Sequence, residues 1–122
     1  MIVPGFGVTR LLDPVRNRFV WGTAHAMVQK TYADDLDLPI NDDGTIGRDR
    51  LVPRGYAGSR GPVNVAWHLQ EGLRRFGRYT PGTDVFGFEY DWRLPARENA
   101  ARLGEFIEQI RGKSEQVDVI TH

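Results

Sequence analysis

Val119-Ile120-Thr121-His122 is the stretch on which the fold turns. It is a short β-branched run that follows an amphipathic helix and closes on a small residue, the pattern of a buried strand reached by a crossover. Immediately upstream, Ala96, Ala100, Leu103, Ile107 and Ile110 form one apolar stripe over Pro95 to Arg111, with Gly112 as a stop. That spacing predicts a helix. Ahead of it, Asp84-Val85-Phe86-Gly87-Phe88-Glu89-Tyr90 is rich in aromatics and reads as a strand. Val65, Leu69, Leu73 and Phe76 recur at helical spacing, Pro62 suits a first turn and Gly77 the position after the end. The chain opens on Ile2-Val3, a strand broken by Pro4-Gly5-Phe6-Gly7. Strands alternating with helices predict right-handed crossovers and an α/β fold with a mainly parallel sheet flanked by helices. The final strand, Val117 to Ile120, leaves an edge at which further strands should pair.

The stretch between the first strand and the first strong helix is less periodic. Asp13-Pro14 marks a turn, and Phe19 to Lys30 is expected to form a helix with Trp21 and Val28 on its apolar side. Residues 34–60 read as a loop-rich insertion. Asn41-Asp42-Asp43-Gly44 and Pro53-Arg54-Gly55 supply turn chemistry within it. Leu51-Val52-Pro53-Arg54-Gly55 resembles a thrombin linker, although the composition around it is that of a native loop.

Charge excludes some classes of partner. Lys plus Arg number 16 and Asp plus Glu 16, so no global field favours nucleic acid, and membrane contact is at most peripheral. The arginine clusters Arg48-Arg50-Arg54 and Arg74-Arg75-Arg78 read as solvated faces or structural ion pairs. There is no cysteine, and His25, His68 and His122 are scattered, so neither a metal site nor any other cofactor is expected. No apolar run approaches the ~20 residues of a membrane span. Nor does Met1-Ile2-Val3-Pro4-Gly5 have the make-up of a signal peptide, so the expected compartment is the cytoplasm.

Three places carry chemistry. Thr121 and His122 fit the first two positions of a G-x-S-x-G nucleophile elbow, with a small residue standing for the first glycine. The serine is then expected at the position after His122. Pro4-Gly5-Phe6-Gly7 follows the first strand, where an α/β-hydrolase carries half of its oxyanion hole; the Phe6 backbone N–H would be the donor, and Gly5 and Gly7 allow the tight turn. The plainer reading is an ordinary Pro-Gly turn. Tyr90-Asp91-Trp92-Arg93 ends the middle strand, at the rim where ligands bind parallel sheets. Tyr90 and Trp92 offer aromatic walls to a substrate there. Alternatively, Asp91 and Arg93 pair structurally while Trp92 packs on loops. Asp91 precedes the nucleophile, which makes it a poor triad acid. Trp21 lines an apolar acyl pocket or belongs to the core.

Taken together, Ile2-Val3-Pro4-Gly5-Phe6-Gly7, Trp21, Asp84 to Arg93 and the closing Val119-Ile120-Thr121-His122 resemble the lecithin:cholesterol acyltransferase family over essentially the whole chain. The resemblance implies an α/β-hydrolase domain of which residues 1–122 are the N-terminal part. It also implies a serine acyl-enzyme, with a lipid or other ester as substrate and water or an alcohol as acceptor. Phe6 would be the oxyanion donor, with Trp21 and the Tyr90–Arg93 rim near the acyl site. The secreted members of that family have a leader and cysteines; this sequence has no cysteine, and no leader is expected. The triad is expected outside these residues, so the chain alone should be inactive. Two other readings stand beside it: a non-catalytic half-domain that complements a second chain carrying the triad, and a phosphate-binding α/β domain using Pro4–Gly7 as its turn. The latter has neither G-x-G-x-x-G nor a helix directly after the turn.

Overall fold

The computed structural model describes residues 1–28, 34–47, 49–57, 65–112 and 116–122. In chain order the elements are β1 (Ile2–Val3), β2 (Thr9–Asp13), β3 (Arg18–Trp21), α1 (Ala24–Val28), a 3-10 turn (Asp34–Leu36), β4 (Val52–Tyr56), α2 (Val65–Phe76), α3 (Ala96–Arg111) and β5 (Ile120–Thr121).

β1 is the middle of a parallel ladder. On one side it pairs with β5, Ile2 opposite Ile120 and Val3 opposite Thr121. On the other it bridges Gly87 in parallel. The Ile2 N–H donates to the Phe86 carbonyl at 2.8 Å and the Phe88 N–H to the Ile2 carbonyl at 2.9 Å. The expected strand from Asp84 to Tyr90 is therefore bonded to β1 only around Gly87 and forms no regular strand. The last strand, expected over Val117 to Ile120, is shorter and lies later, Ile120–Thr121.

Alternation along this ladder sorts its side chains onto two faces, because successive residues of extended chain point opposite ways. Ile2 and Val85 face α2, packing with Tyr56 and Ala66 against Val8, Leu69 and Leu73. Met1, Val3, Phe86, Phe88 and Tyr90 face α3, packing with Leu103, Phe106, Ile107 and Ile110. One helix thus covers each face. Both helices are rotated relative to the stripes read from the sequence. On α2 the buried line runs Ala66-Leu69-Leu73, while Val65 and Phe76 are exposed. On α3 it runs Asn99-Leu103-Phe106-Ile110, while Ala96 and Ala100 are exposed. Alanines and end residues weigh little in such a stripe; burial of the larger side chains, each about 1.5–3 kcal/mol, sets the rotation. After α2 it is Arg78, at φ 58°, that takes the left-handed backbone conformation, not Gly77.

The larger sheet is antiparallel, in the order β3-β2-β4, and was not foreseen. Its hairpin turn is built on Asp13, whose Oδ1 accepts the backbone N–H of Val15 at 3.0 Å and of Arg16 at 3.1 Å. That is side-chain mimicry of a turn. The helix expected over Phe19 to Lys30 is replaced through Trp21 by β3, with helix over Ala24–Val28; Gln29 and Lys30 lie outside the described residues. Arg18-Phe19-Val20-Trp21 is β-branched and aromatic, and Val20 is buried with Leu11 and Leu51. The turn expected at Pro53-Arg54-Gly55 is part of β4. Proline is tolerated because β4 is an edge, and Gly55 bends the strand at φ 69°. Among the described residues no helix is long and apolar enough to cross a membrane.

Candidate functional site

The turn after β1 closes with the Val8 N–H donating to the Gly5 carbonyl at 3.2 Å. Gly7 holds the third position at φ 75°, which an L side chain rarely adopts. Gly5 is required by a neighbour: a Cβ there would lie 2.5 Å from the His122 carbonyl oxygen. The Pro4–Gly7 turn and the end of β5 thus meet at one point, at the carboxyl ends of adjacent parallel strands. The His122 N–H donates to the Val3 carbonyl at 3.3 Å and fixes that approach. Among the described residues none accepts from the Phe6 N–H.

Above the turn lie three rings. Phe6 is 76% exposed and meets Trp92 edge-on, centroids 4.8 Å apart. Trp92 is tilted against Trp21 at 5.1 Å. Both indoles donate to the backbone, Trp21 Nε1 to the Gly7 carbonyl in the turn at 2.7 Å and Trp92 Nε1 to the Thr9 carbonyl at the start of β2 at 3.0 Å. The structure therefore brings together Gly5, Phe6, Gly7, Trp21, Trp92 and His122, with Thr121 alongside Val3. It does not bring Tyr90 there. That ring stacks on Phe88 at 5.7 Å and packs in the cluster under α3, where burial pushes its phenol up.

Asp91 and Arg93 form a buried pair, their side chains 5% and 4% exposed. Arg93 Nε donates to Asp91 Oδ1 at 3.0 Å and Nη2 to Oδ2 at 2.6 Å, a two-point contact. The same guanidinium bonds the Leu36 carbonyl at 3.0 Å and the Asp49 carboxylate. Burial opposes its charge, but the bonds to Asp91 and Asp49 outweigh it and raise its pKa. Asn99 Nδ2 caps the Asp91 and Leu94 carbonyls at 2.8 and 3.2 Å. Of the two readings of this segment, the pair is structural, and it sets Trp92 over the turn.

A second network ties the 34–50 segment to the hairpin. Arg50 Nε meets Asp13 Oδ2 at 3.0 Å, and Asp35 accepts from Arg16 at 3.1 Å and Arg18 at 2.5 Å, as well as from Arg50. Asp49, Asn99 and Asp35 were not singled out in the sequence. For Asp35 and Asp49 the signal in the sequence is an acidic residue inside a loop that also carries arginines; Asn99, on the buried line of α3, has no such signal. Among the described residues no group of three His, Cys, Asp or Glu side chains could hold a metal ion. A cavity of about 300 Å³ opens at the opposite, amino end of the parallel strands, between Met1, Leu73, Tyr79, Ile110 and Val117. It is remote from the glycine turn.

No family model matches the chain. It is similar to a Saccharomyces cerevisiae protein described as "Uncharacterized protein YJR098C", 27% identical over 125 residues and covering 100% of this chain. The chain spans 18% of that relative's length. No solved structure matches.

Proposed function

We propose that these residues form the oxyanion-turn part of a serine hydrolase acting on a lipid or similar ester, by hydrolysis or by acyl transfer. The observation that carries the reading is the close approach of Gly5 to the His122 carbonyl, which brings the Pro4–Gly7 turn against the end of the strand expected to feed the nucleophile. A serine directly after His122 would attack the ester carbonyl. The Phe6 N–H and the amide following the serine would then stabilise the tetrahedral oxyanion, while a later His and acid complete the triad. The exposed Phe6 ring and the two tryptophans offer an apolar wall to the acyl chain. The position of β1 between the Gly87 segment and β5 supports the reading, since it places the turn at the centre of the parallel ladder.

The test is made in the longer protein that this function requires. Phe6 occupies the second position of a turn with glycine at the third, where proline is favoured, so Phe6→Pro removes the donor while keeping the turn. Turnover of a short ester should fall about 10²–10³-fold, and a fluorophosphonate should label the serine after His122 in the parent protein. Unchanged turnover, or no label at that serine, would overturn the proposal.

A further inference from the structure

The two tryptophans do more than wall the site. We infer that Trp21 and Trp92 clamp the glycine turn, holding the Phe6 N–H in the direction at which it is useful. The inference rests on the oxyanion role proposed for that N–H. Its geometry is independent of it.

The turn itself is weakly determined. It contains two glycines, and its closing hydrogen bond is 3.2 Å long. Glycine has the largest conformational freedom to lose, so such a segment needs outside contacts to stay in one conformation. The indole N–H groups provide them at the turn's exit. Trp21 holds the Gly7 carbonyl at 2.7 Å and Trp92 the Thr9 carbonyl at 3.0 Å. Gly7 is the residue at φ 75°, so the bond to its carbonyl fixes the peptide plane that follows the left-handed position. Trp92 also touches the Phe6 ring at 4.8 Å and so reaches both sides of the bend.

Each clamp is anchored in a rigid place. Trp21 ends β3 and is paired with Leu11. Trp92 sits between Asp91 and Arg93, whose buried pair is tied onward to Asp49 and Leu36. The residues that hold the turn therefore come from the antiparallel sheet and from the Asp91–Arg93 segment, which Leu36 and Asp49 anchor. This gives those parts a role in positioning the site. In this role Trp21 and Trp92 are positioning residues, since they act through the Gly7 and Thr9 carbonyls while packing on Leu11, Val20 and Leu51.

The test uses Trp21→Phe and Trp92→Phe in the longer protein; each keeps a ring and deletes one donor. Two readouts are taken: amide hydrogen exchange over residues 5–9, and kcat and KM on p-nitrophenyl butyrate. The clamp predicts exchange at 5–9 faster by about tenfold in each variant, with exchange in α3 unchanged, and kcat lower by about tenfold with KM little altered. Displacement of a catalytic group by about 1 Å has effects of that size or larger. Exchange at 5–9 unchanged in both variants would overturn the clamp, whatever the activity. If Phe6→Pro leaves turnover intact while the Trp variants still loosen the turn, the oxyanion reading fails and the clamp stands as a structural fact. Should Trp92→Phe not fold, Trp21→Phe alone decides, because it leaves the buried Asp91–Arg93 pair untouched.

Discussion

At the scale of single residues, Tyr56 and Gly87 show how one close approach shapes the centre of the molecule. A Cβ on Gly87 would overlap the Tyr56 hydroxyl, so the ring can lie across the parallel ladder only where the ladder has no side chain. Burial, with a smaller push from the Glu89 charge, raises the Tyr56 phenol from 10.0 to about 12. A folded-state pKa above the unfolded one means that the neutral phenol is favoured in the fold. The stability this carries is complete below pH 10.0 and is lost as pH rises towards about 12. Tyr56→Phe removes the titrating group and keeps the ring. Thermal unfolding of parent and variant from neutral to alkaline pH should run in parallel up to about pH 10, after which the parent should lose stability faster; curves parallel throughout would contradict the burial of that hydroxyl. None of this was legible in the sequence, because the contact spans residues far apart in the chain. Residues 91 and 93 were half legible. Their types and spacing allowed a pair or a ligand-facing rim, and only the depth of burial, with four hydrogen bonds from one guanidinium to three groups, separates the two.

At the scale of elements, the parts legible in the sequence were those with a long period and a single covered face. α2 and α3 are where the apolar repeats placed them, apart from a rotation set by their larger side chains. β2, β3 and β4 were missed or misassigned because each is short and carries a residue that argues against a strand. Asp13 ends β2, Trp21 leads into a glycine, and β4 contains Pro53 and Gly55. Tertiary packing of Leu11, Val20 and Leu51 overrides those local signals. β4 offers a direct test, because Leu51-Val52-Pro53-Arg54-Gly55 resembles a thrombin site. Cleavage after Arg54 needs an extended segment free to enter the protease. Here Val52 and Pro53 pair with Leu12 and Leu11, Tyr56 pairs with Thr9, and the Arg54 carbonyl accepts from Arg10 Nε at 3.2 Å. The native protein should therefore resist thrombin, and Leu11→Ala, which removes a fully buried side chain and costs about 2–5 kcal/mol, should make it cleavable. Rapid cleavage of the parent protein at Arg54 would mean that β4 is not held in the sheet.

At the scale of the whole molecule, the parallel ladder is covered on both faces, while β5 is bonded on only one of its flanks, the one towards β1. Ile120 and His122 direct their N–H groups to the Met1 and Val3 carbonyls. Strand alternation then turns the Val119 and Thr121 amides away from β1. Among the described residues no strand lies beyond β5, and the Val119 and Ile120 side chains are exposed. An unpaired flank of β-branched residues is a template for another strand. The functional proposal requires that strand, since an elbow is followed by a helix that returns the chain to the sheet. Amide exchange can read the two flanks separately. In residues 1–122 alone, Ile120 and His122 should exchange slowly, and Val119 and Thr121 should exchange fast. In the longer protein all four should be slow, because a neighbouring strand would bond the outward pair. Fast exchange at Val119 and Thr121 in the longer protein would leave β5 as a true edge. The turn at Pro4–Gly7 would then lie near the margin of the sheet and not in the central crevice where such sites are built.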